Sequence, residues 1–378
     1  MRLRHRDGTT VHLSYCTNVH AAERLDGILE QLDTYAVPIR ERLDADVLGL
    51  GLWLAAPVAA GLAGDQADLR RLRQELDARG LEVVTLNGFP YEAFQQPVVK
   101  HAVYQPDWAA PRRLAYTMDL ARVLIGLLPD DAVRGSISTL PLAWRSPWDD
   151  ERASACRRAL DELARGLHDL PRPVRVAFEP EPGCIIENTT EAVALLGDVD
   201  TSVLGICLDL AHLACAWEDP GDALKRLRAA NLPVVKTQIS AALASADPRR
   251  DAEVLDAYVE PRFLHQTRGP VWLSTDDLDQ ALATPGGDAQ PWRVHYHVPL
   301  HQAPVPPLAA TTDVLDDALR ELIGDQAADC DHFDVETYTW QVLPPQSRPA
   351  GPADLAAGIA AELAFARDRL RAIPGMSS

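Results

Sequence analysis

Val174-Arg175-Val176-Ala177-Phe178-Glu179-Pro180-Glu181-Pro182-Gly183 is a short apolar run that ends in acids and prolines. A run of this kind, bounded by turn residues, reads as a strand buried on both faces, the type found in parallel sheets. The same grammar recurs at Leu204-Gly205-Ile206-Cys207-Leu208-Asp209-Leu210-Ala211-His212 and at Phe333-Asp334-Val335-Glu336-Thr337-Tyr338-Thr339-Trp340. Each run delivers an acid where a strand gives out. In a closed α/β barrel those carboxyl ends form the active-site face, whereas an open sheet gathers its site at one switch point. Polar residues also follow the earlier runs, Asn18 and His20 after the first and Asn87 after the third, which favours the barrel.

Working outward, strand-like runs alternate with helix-like ones, the signature of βα units. The runs are 13–19, 47–53, 82–87, 135–140, 174–179, 204–209, 234–239, 294–298 and 333–338, one more than a barrel of eight can use. The amphipathic segment 68–76, followed by Gly80, and the segment 155–167 are the clearest helices. From Gln238 to Glu336 the chain runs 98 residues, longer than one βα unit requires, so an insertion is expected before the last strand. The expected fold class is therefore an α/β (β/α)₈ TIM barrel over 1–345 with an insertion at about 241–330. A linker and a C-terminal helix packing on the barrel follow at 346–378.

Composition excludes some functions. A formal net charge of −19 on 378 residues leaves no basic stripe for nucleic acid. The short clusters Arg70-Arg71-Leu72-Arg73, Arg112-Arg113 and Arg157-Arg158 read as solvated helix faces. Six cysteines form no C-x-x-C pair and read as reduced core residues. Val47 to Gly64 is uncharged, but Pro57 and several glycines break it, so it reads as a strand, a loop and a helix start, not as a membrane span. Met1 to Asp7 leads into no apolar signal segment, and a cytoplasmic location is expected.

The chemistry-bearing residues converge on a cation. Glu179, Asp209 and Glu336 at separate strand ends, with His212 three residues after Asp209, form a carboxylate-rich set suited to a divalent ion. The inserted run Arg293-Val294-His295-Tyr296-His297-Val298 would, by alternation, put His295 and His297 on one face, and one or both can reach the metal. Gln238 offers a carbonyl at the seventh strand and competes with His297 to complete the shell. Oxygen ligands favour Mn²⁺ or Mg²⁺; an imidazole shifts the preference toward Mn²⁺, Co²⁺ or Zn²⁺. Glu179 and Glu336 are the expected acid/base pair, with His212 at the substrate oxygen or as a further ligand. Asn18, His20, Asn87, Glu181, Glu187, Lys236, His295 and Trp340 are the expected substrate contacts.

These motifs resemble the xylose-isomerase-like barrels, whose pattern is a Glu after the fifth strand, Asp-x-x-His after the sixth, often a His after the seventh and a Glu on the eighth. Glu179, Asp209, His212 and Glu336 match it; Gln238 stands where epimerases commonly have His. A closer resemblance rests on Tyr15-Cys16-Thr17-Asn18-Val19-His20, His295-Tyr296-His297-Val298-Pro299 and Val335-Glu336-Thr337-Tyr338-Thr339-Trp340-Gln341-Val342-Leu343-Pro344, which is similar to the EboE-type metabolite traffic proteins of bacterial Ebo clusters. That resemblance implies handling of a secondary-metabolite precursor, beside neighbours of the same pathway, without specifying a reaction. Three readings follow: a divalent-metal-dependent isomerase or epimerase acting on a small carbonyl/hydroxyl metabolite; a noncatalytic metabolite carrier that retains the pocket; and an endonuclease-IV-like phosphoesterase. The last needs more imidazoles and a basic face, and the charge opposes it.

Overall fold

The computed structural model describes residues 1–377. Eight parallel strands close on themselves: β1 (Thr10–Cys16), β2 (Leu48–Trp53), β3 (Leu81–Asn87), β4 (Gly135–Thr139), β5 (Val174–Phe178), β6 (Leu204–Asp209), β7 (Val234–Ile239) and β8 (His332–Val335). The closure is the parallel pairing of β8 with β1, with His332 opposite His12 and Val335 opposite Tyr15. Nearly every residue of these strands is buried, as strands sandwiched between a barrel interior and a ring of helices must be. Outside the ring, Arg2–His5 pairs antiparallel with β1, and Met376–Ser377 pairs with Arg2–His5.

The helices follow the sequence closely. Asp65 caps Gln66–Ala78 by accepting from Ala67 N and Asp68 N, satisfying donors the first turn leaves free. Gly80 then turns the chain at φ +65°, where a Cβ would stand 2.8 Å from Asp46 O. Asp150–His168 buries Cys156, Leu160, Leu163 and Leu167 along one stripe and exposes Arg157 and Arg158. Arg113 departs from expectation. It lies on Pro111–Leu127, but its side chain is fully buried and donates to Pro106 O at 2.7 Å, Gly88 O at 2.9 Å and Phe89 O at 3.0 Å. Three backbone carbonyls of the β3 exit loop need a donor there, and a long guanidinium supplies it from the helix.

The surplus strand run also has a home. Trp292–His297 joins a separate antiparallel sheet with Ala242–Ser245, Thr267–Arg268, Ser274–Thr275 and Ala309–Ala310, in the segment between β7 and the helix Thr312–Ile323. The 294–298 run is thus not a barrel strand. The last helix, Pro352–Ala372, packs on Val37–Arg42 and against β1 and β8. All six cysteines are buried and free. Among the described residues no helix is long and apolar enough to cross a membrane, and Val47–Gly64 divides into β2 and the helix Ala56–Gly64.

Candidate metal centre and pocket

The carboxyl ends of β5, β6 and β8 meet around one point. Glu179 follows β5, Asp209 ends β6 and Glu336 follows β8. Each is at most 4 % exposed, and among the described residues no arginine or lysine pairs with any of them. Asp209 also starts the turn Leu210–Cys215: its Oδ1 accepts from His212 N at 2.9 Å and from Ser240 Oγ at 2.8 Å. That cap fixes the Asp-x-x-His spacing, because it commits residue 209 to the helix entry and swings His212 back over the strand ends. One potential ligand atom each from Glu179, Asp209 and His212 lies within 4.8 Å of the others, and the same holds for Asp209, His297 and Glu336.

Three buried anions need neutralising. Glu336 Oε1 accepts from Asn18 Nδ2 at 2.7 Å and Asn87 Nδ2 at 2.9 Å, which orients it. Among the described residues, Glu179 Oε2, Asp209 Oδ2, His297 Nε2 and both amide atoms of Gln238 have no hydrogen-bond partner. Buried polar atoms are nearly always paired, so orphaned atoms on four neighbouring side chains mark a place built for a further group. Without one, burial together with the Glu336 and Asp209 charges pushes the Glu179 carboxyl well above its usual range. Burial and Asp209 push Glu336 up to about 8. Burial also lifts Glu181 to about 8 and lowers His212 to about 4.

The donor set fits a divalent cation. Glu179, Asp209 and Glu336 offer hard oxygens, and both candidates for a fourth position are present. Gln238 is fully buried and aligned with Asp209 across the β6–β7 pair and with Asp334 across the β7–β8 pair. His297 arrives from the inserted sheet, its Nε2 3.8 Å from Asp209 Oδ2.

A pocket with about 490 Å³ of unfilled space, counting its open mouth, stands over this set. Its floor is polar: Asn18, Asn87, Glu179, Glu181, His212, His295 and Glu336. Its walls are mostly apolar, built from Phe89, Phe94, Val99, Val103, Phe263 and Leu264 with Tyr104 and Tyr338. Lys100 also lines it, but the ammonium donates to Phe263 O at 2.7 Å and to Glu260 O at 3.2 Å and pairs with Asp277, so only its stem is free.

Several expected contacts lie elsewhere. His20 packs outside the pocket, stacked on Tyr35 at 4.1 Å and 3.2 Å from the Tyr15 hydroxyl. Glu187 accepts from Gly183 N and pairs with Arg268. Trp340 donates from Nε1 to Glu362 at 3.0 Å beneath the last helix. Lys236 is fully buried and pairs with Asp334 Oδ2 at 3.0 Å. Burial alone would lower its pKa, yet Asp334 holds it above the ordinary lysine range. These four have the right residue types for a site, but local sequence carries no sign of the partners that claim them. Conversely, nothing in the local sequence singles out Tyr104 and Gln266. Tyr104 donates to Glu181 at 2.7 Å, and Gln266 Nε2 donates to the Tyr104 hydroxyl at 2.8 Å.

Solved structures resemble this chain in fold at low sequence identity. A xylose isomerase-like TIM barrel protein from Mycobacterium smegmatis, in complex with magnesium, superimposes with a TM-score of 0.55 at 13% identity, over 95% of this chain and 98% of that one. The IOLI protein with a bound zinc atom gives 0.54 at 14%, over 96% and 99%. D-allulose 3-epimerase from Methylomonas sp. gives 0.53 at 13%, over 98% and 100%. No curated protein matches the sequence. The family model described as xylose isomerase-like TIM barrel matches residues 44–265, more than half of the chain. By that match, and by a barrel closed strand to strand, the chain belongs to the xylose isomerase-like TIM barrel family.

Proposed function

We propose that this chain is a divalent-cation-dependent isomerase or epimerase that moves a proton beside the carbonyl of a small, uncharged metabolite, within the precursor handling that the EboE-type resemblance implies. The observation that carries this reading is the set of unpartnered buried ligand atoms, Glu179 Oε2, Asp209 Oδ2, Gln238 Oε1 and His297 Nε2, beside Glu336 under one pocket. When bound, a cation such as Mn²⁺, Mg²⁺, Co²⁺ or Zn²⁺ polarises a carbonyl and its neighbouring hydroxyl and so acidifies the C–H between them. Glu179 and Glu336 come from separate strands and can remove and return that proton on either face. Asn18 and Asn87 hold Glu336 in one orientation, and His212 can contact a substrate oxygen. The aromatic walls exclude water. They also argue against a phosphorylated substrate: the carboxylate floor repels anions, and Lys100, the cationic side chain lining the pocket, is already committed.

Gln238 favours a second reading, a carrier that keeps the pocket without the reaction, because an amide stands where epimerases commonly have imidazole. One experiment separates the two. The metal-loaded protein is incubated in D₂O with uncharged hydroxyketones, and NMR follows both ligand binding and loss of the C–H signal. Exchange that vanishes in Glu179→Gln supports the enzyme; binding without exchange in the wild type supports the carrier. Elemental analysis finding no ion in protein offered Mn²⁺, Co²⁺ and Zn²⁺ would remove the cation from both.

A further inference from the structure

The run Glu336-Thr337-Tyr338-Thr339-Trp340 is tied down on two sides. Toward the inserted sheet, Thr339 Oγ1 donates to His297 O, and His297 Nδ1 donates to Glu336 O at 2.8 Å. Toward the last helix, Thr337 Oγ1 donates to Glu362 Oε1 at 2.7 Å and Trp340 Nε1 to Glu362 Oε2 at 3.0 Å. A third donor reaches the same carboxylate, because Leu300 N, just past the His297 strand end, lies 3.0 Å from Oε1. Thr337, Thr339 and Trp340 are thus the polar members of this motif that the pocket does not use, and each one holds the segment in place.

Glu362 sits inside the helix Pro352–Ala372 and is 1 % exposed. A carboxyl in that place is costly, and an apolar residue would pack the helix on the barrel without the cost. What the carboxyl adds is three hydrogen bonds, and they come from two segments only, the one that begins with Glu336 and the one that follows His297. Gly358, one turn earlier on the same helix face, makes room for the indole: a Cβ there would stand 2.6 Å from Trp340 Cη2. The helix is therefore shaped and charged to grip those two segments.

We propose that Glu362 is a positioning residue of the centre: through Thr337, Trp340 and Leu300 it locks the backbone of Glu336 and the strand end that carries His297. The C-terminal helix is then part of the cation site, not outer packing. Asn18 and Asn87 hold only the tip of Glu336. Its backbone is held by Ile239 O, which accepts from Glu336 N at 3.1 Å, by His297, and through the next residue by Glu362. With both ends fixed, a Glu336 oxygen stays within 4.8 Å of ligand atoms of Asp209 and His297. Groups that orient a ligand set the affinity of the ion it binds. This assignment rests on the carboxylate ring proposed above.

The test reads the cation and the carboxylate separately on the full chain. Glu362→Leu should weaken Mn²⁺ binding roughly 10-fold by competition titration at a temperature where both proteins are folded. Glu362→Gln keeps an oxygen for Leu300 N and Thr337 but sets its amide hydrogens against the Trp340 N–H, and Trp340→Phe removes that donor. Glu362→Gln should therefore bind weakly, while Glu362→Gln/Trp340→Phe returns to within about threefold of the wild type. A crystal structure of Glu362→Leu in chelator should show Glu336 parted from Asn18 and Asn87. A lower melting temperature with Mn²⁺ affinity unchanged, or a double variant no better than Glu362→Gln, overturns the proposal and leaves Glu362 as a helix anchor. A wild type that takes up no cation overturns the ring instead, and the chelator structure then decides alone: Glu336 still on both asparagines overturns the positioning role, and Glu336 displaced upholds it. Should Glu362→Leu not fold, Glu362→Gln with and without Trp340→Phe carries both measurements.

Discussion

Replacing Lys236 with methionine should unfold the barrel several degrees earlier, because Lys236 is the counterion of an acid with nowhere else to go. Lys236 Nζ stands 3.0 Å from Asp334 Oδ2, and both side chains are fully buried. At that distance and an effective dielectric of about 20, the attraction is roughly 5 kcal/mol. Asp334 keeps one neutral donor, Ser14 Oγ at 2.7 Å, which is too little for a carboxylate in the barrel interior. Removing one member of a buried pair costs about 3–5 kcal/mol, mainly from the charge left behind. For 378 residues the unfolding entropy is about 0.8 kcal/mol/K near 60 °C, so Lys236→Met should lower the melting temperature by roughly 4–6 °C. The assay is calorimetry at a fixed scan rate in chelator, so that bound ions add nothing. Adding Asp334→Asn removes the stranded charge and should restore at least half of the loss. A single variant melting within about 1 °C of wild type, or a double variant no better than the single, would refute the argument.

Other consequences follow from the same structure. A Cβ on Gly51 would stand 1.9 Å from Asp334 Oδ2, so Gly51→Ala should cost roughly 1–3 kcal/mol in overpacking and be less than additive with Lys236→Met in a double-mutant cycle. Asn18→Ala and Asn87→Ala each remove one donor from Glu336 Oε1; together they should weaken ion affinity roughly 10–100-fold by competition titration. Burial would raise Glu82, yet Arg2, His12 and the N-terminal ammonium hold it down at about 2. Its folded pKa lies below its unfolded value of about 4.5, so its stabilisation is complete above pH 4.5 and disappears as pH falls toward 2. Glu82→Gln should therefore lower stability at neutral pH and flatten its acid dependence in that window, read by urea unfolding at successive pH values.

The contrast between Asp209 and His297 shows where the sequence stops being readable. Asp209 ends its own strand and caps its own helix, so its place is set within a few residues of chain. The same local logic places Glu179 after β5 and Glu336 after β8, and the eight-stranded barrel follows from the alternation of strand and helix runs. The excess length before β8 announced an insertion.

What became of the insertion was decided in three dimensions. His295 and His297 share a strand face, as alternation requires, but where that face points depends on pairing with Ala242–Ser245, and the register shifts between Val294 and His297. No local signal encodes a pairing across some fifty residues. The same limit explains Arg113, drawn inward by three carbonyls of the segment between β3 and its own helix, and His20, Glu187, Lys236 and Trp340, claimed by Tyr35, Arg268, Asp334 and Glu362. By itself the sequence determined which side chains stand at the carboxyl ends of the strands, since strand period and helix capping act over a few residues. Only the tertiary structure decided which of them remain free to bind, because that depends on whether a partner from elsewhere in the chain reaches them first.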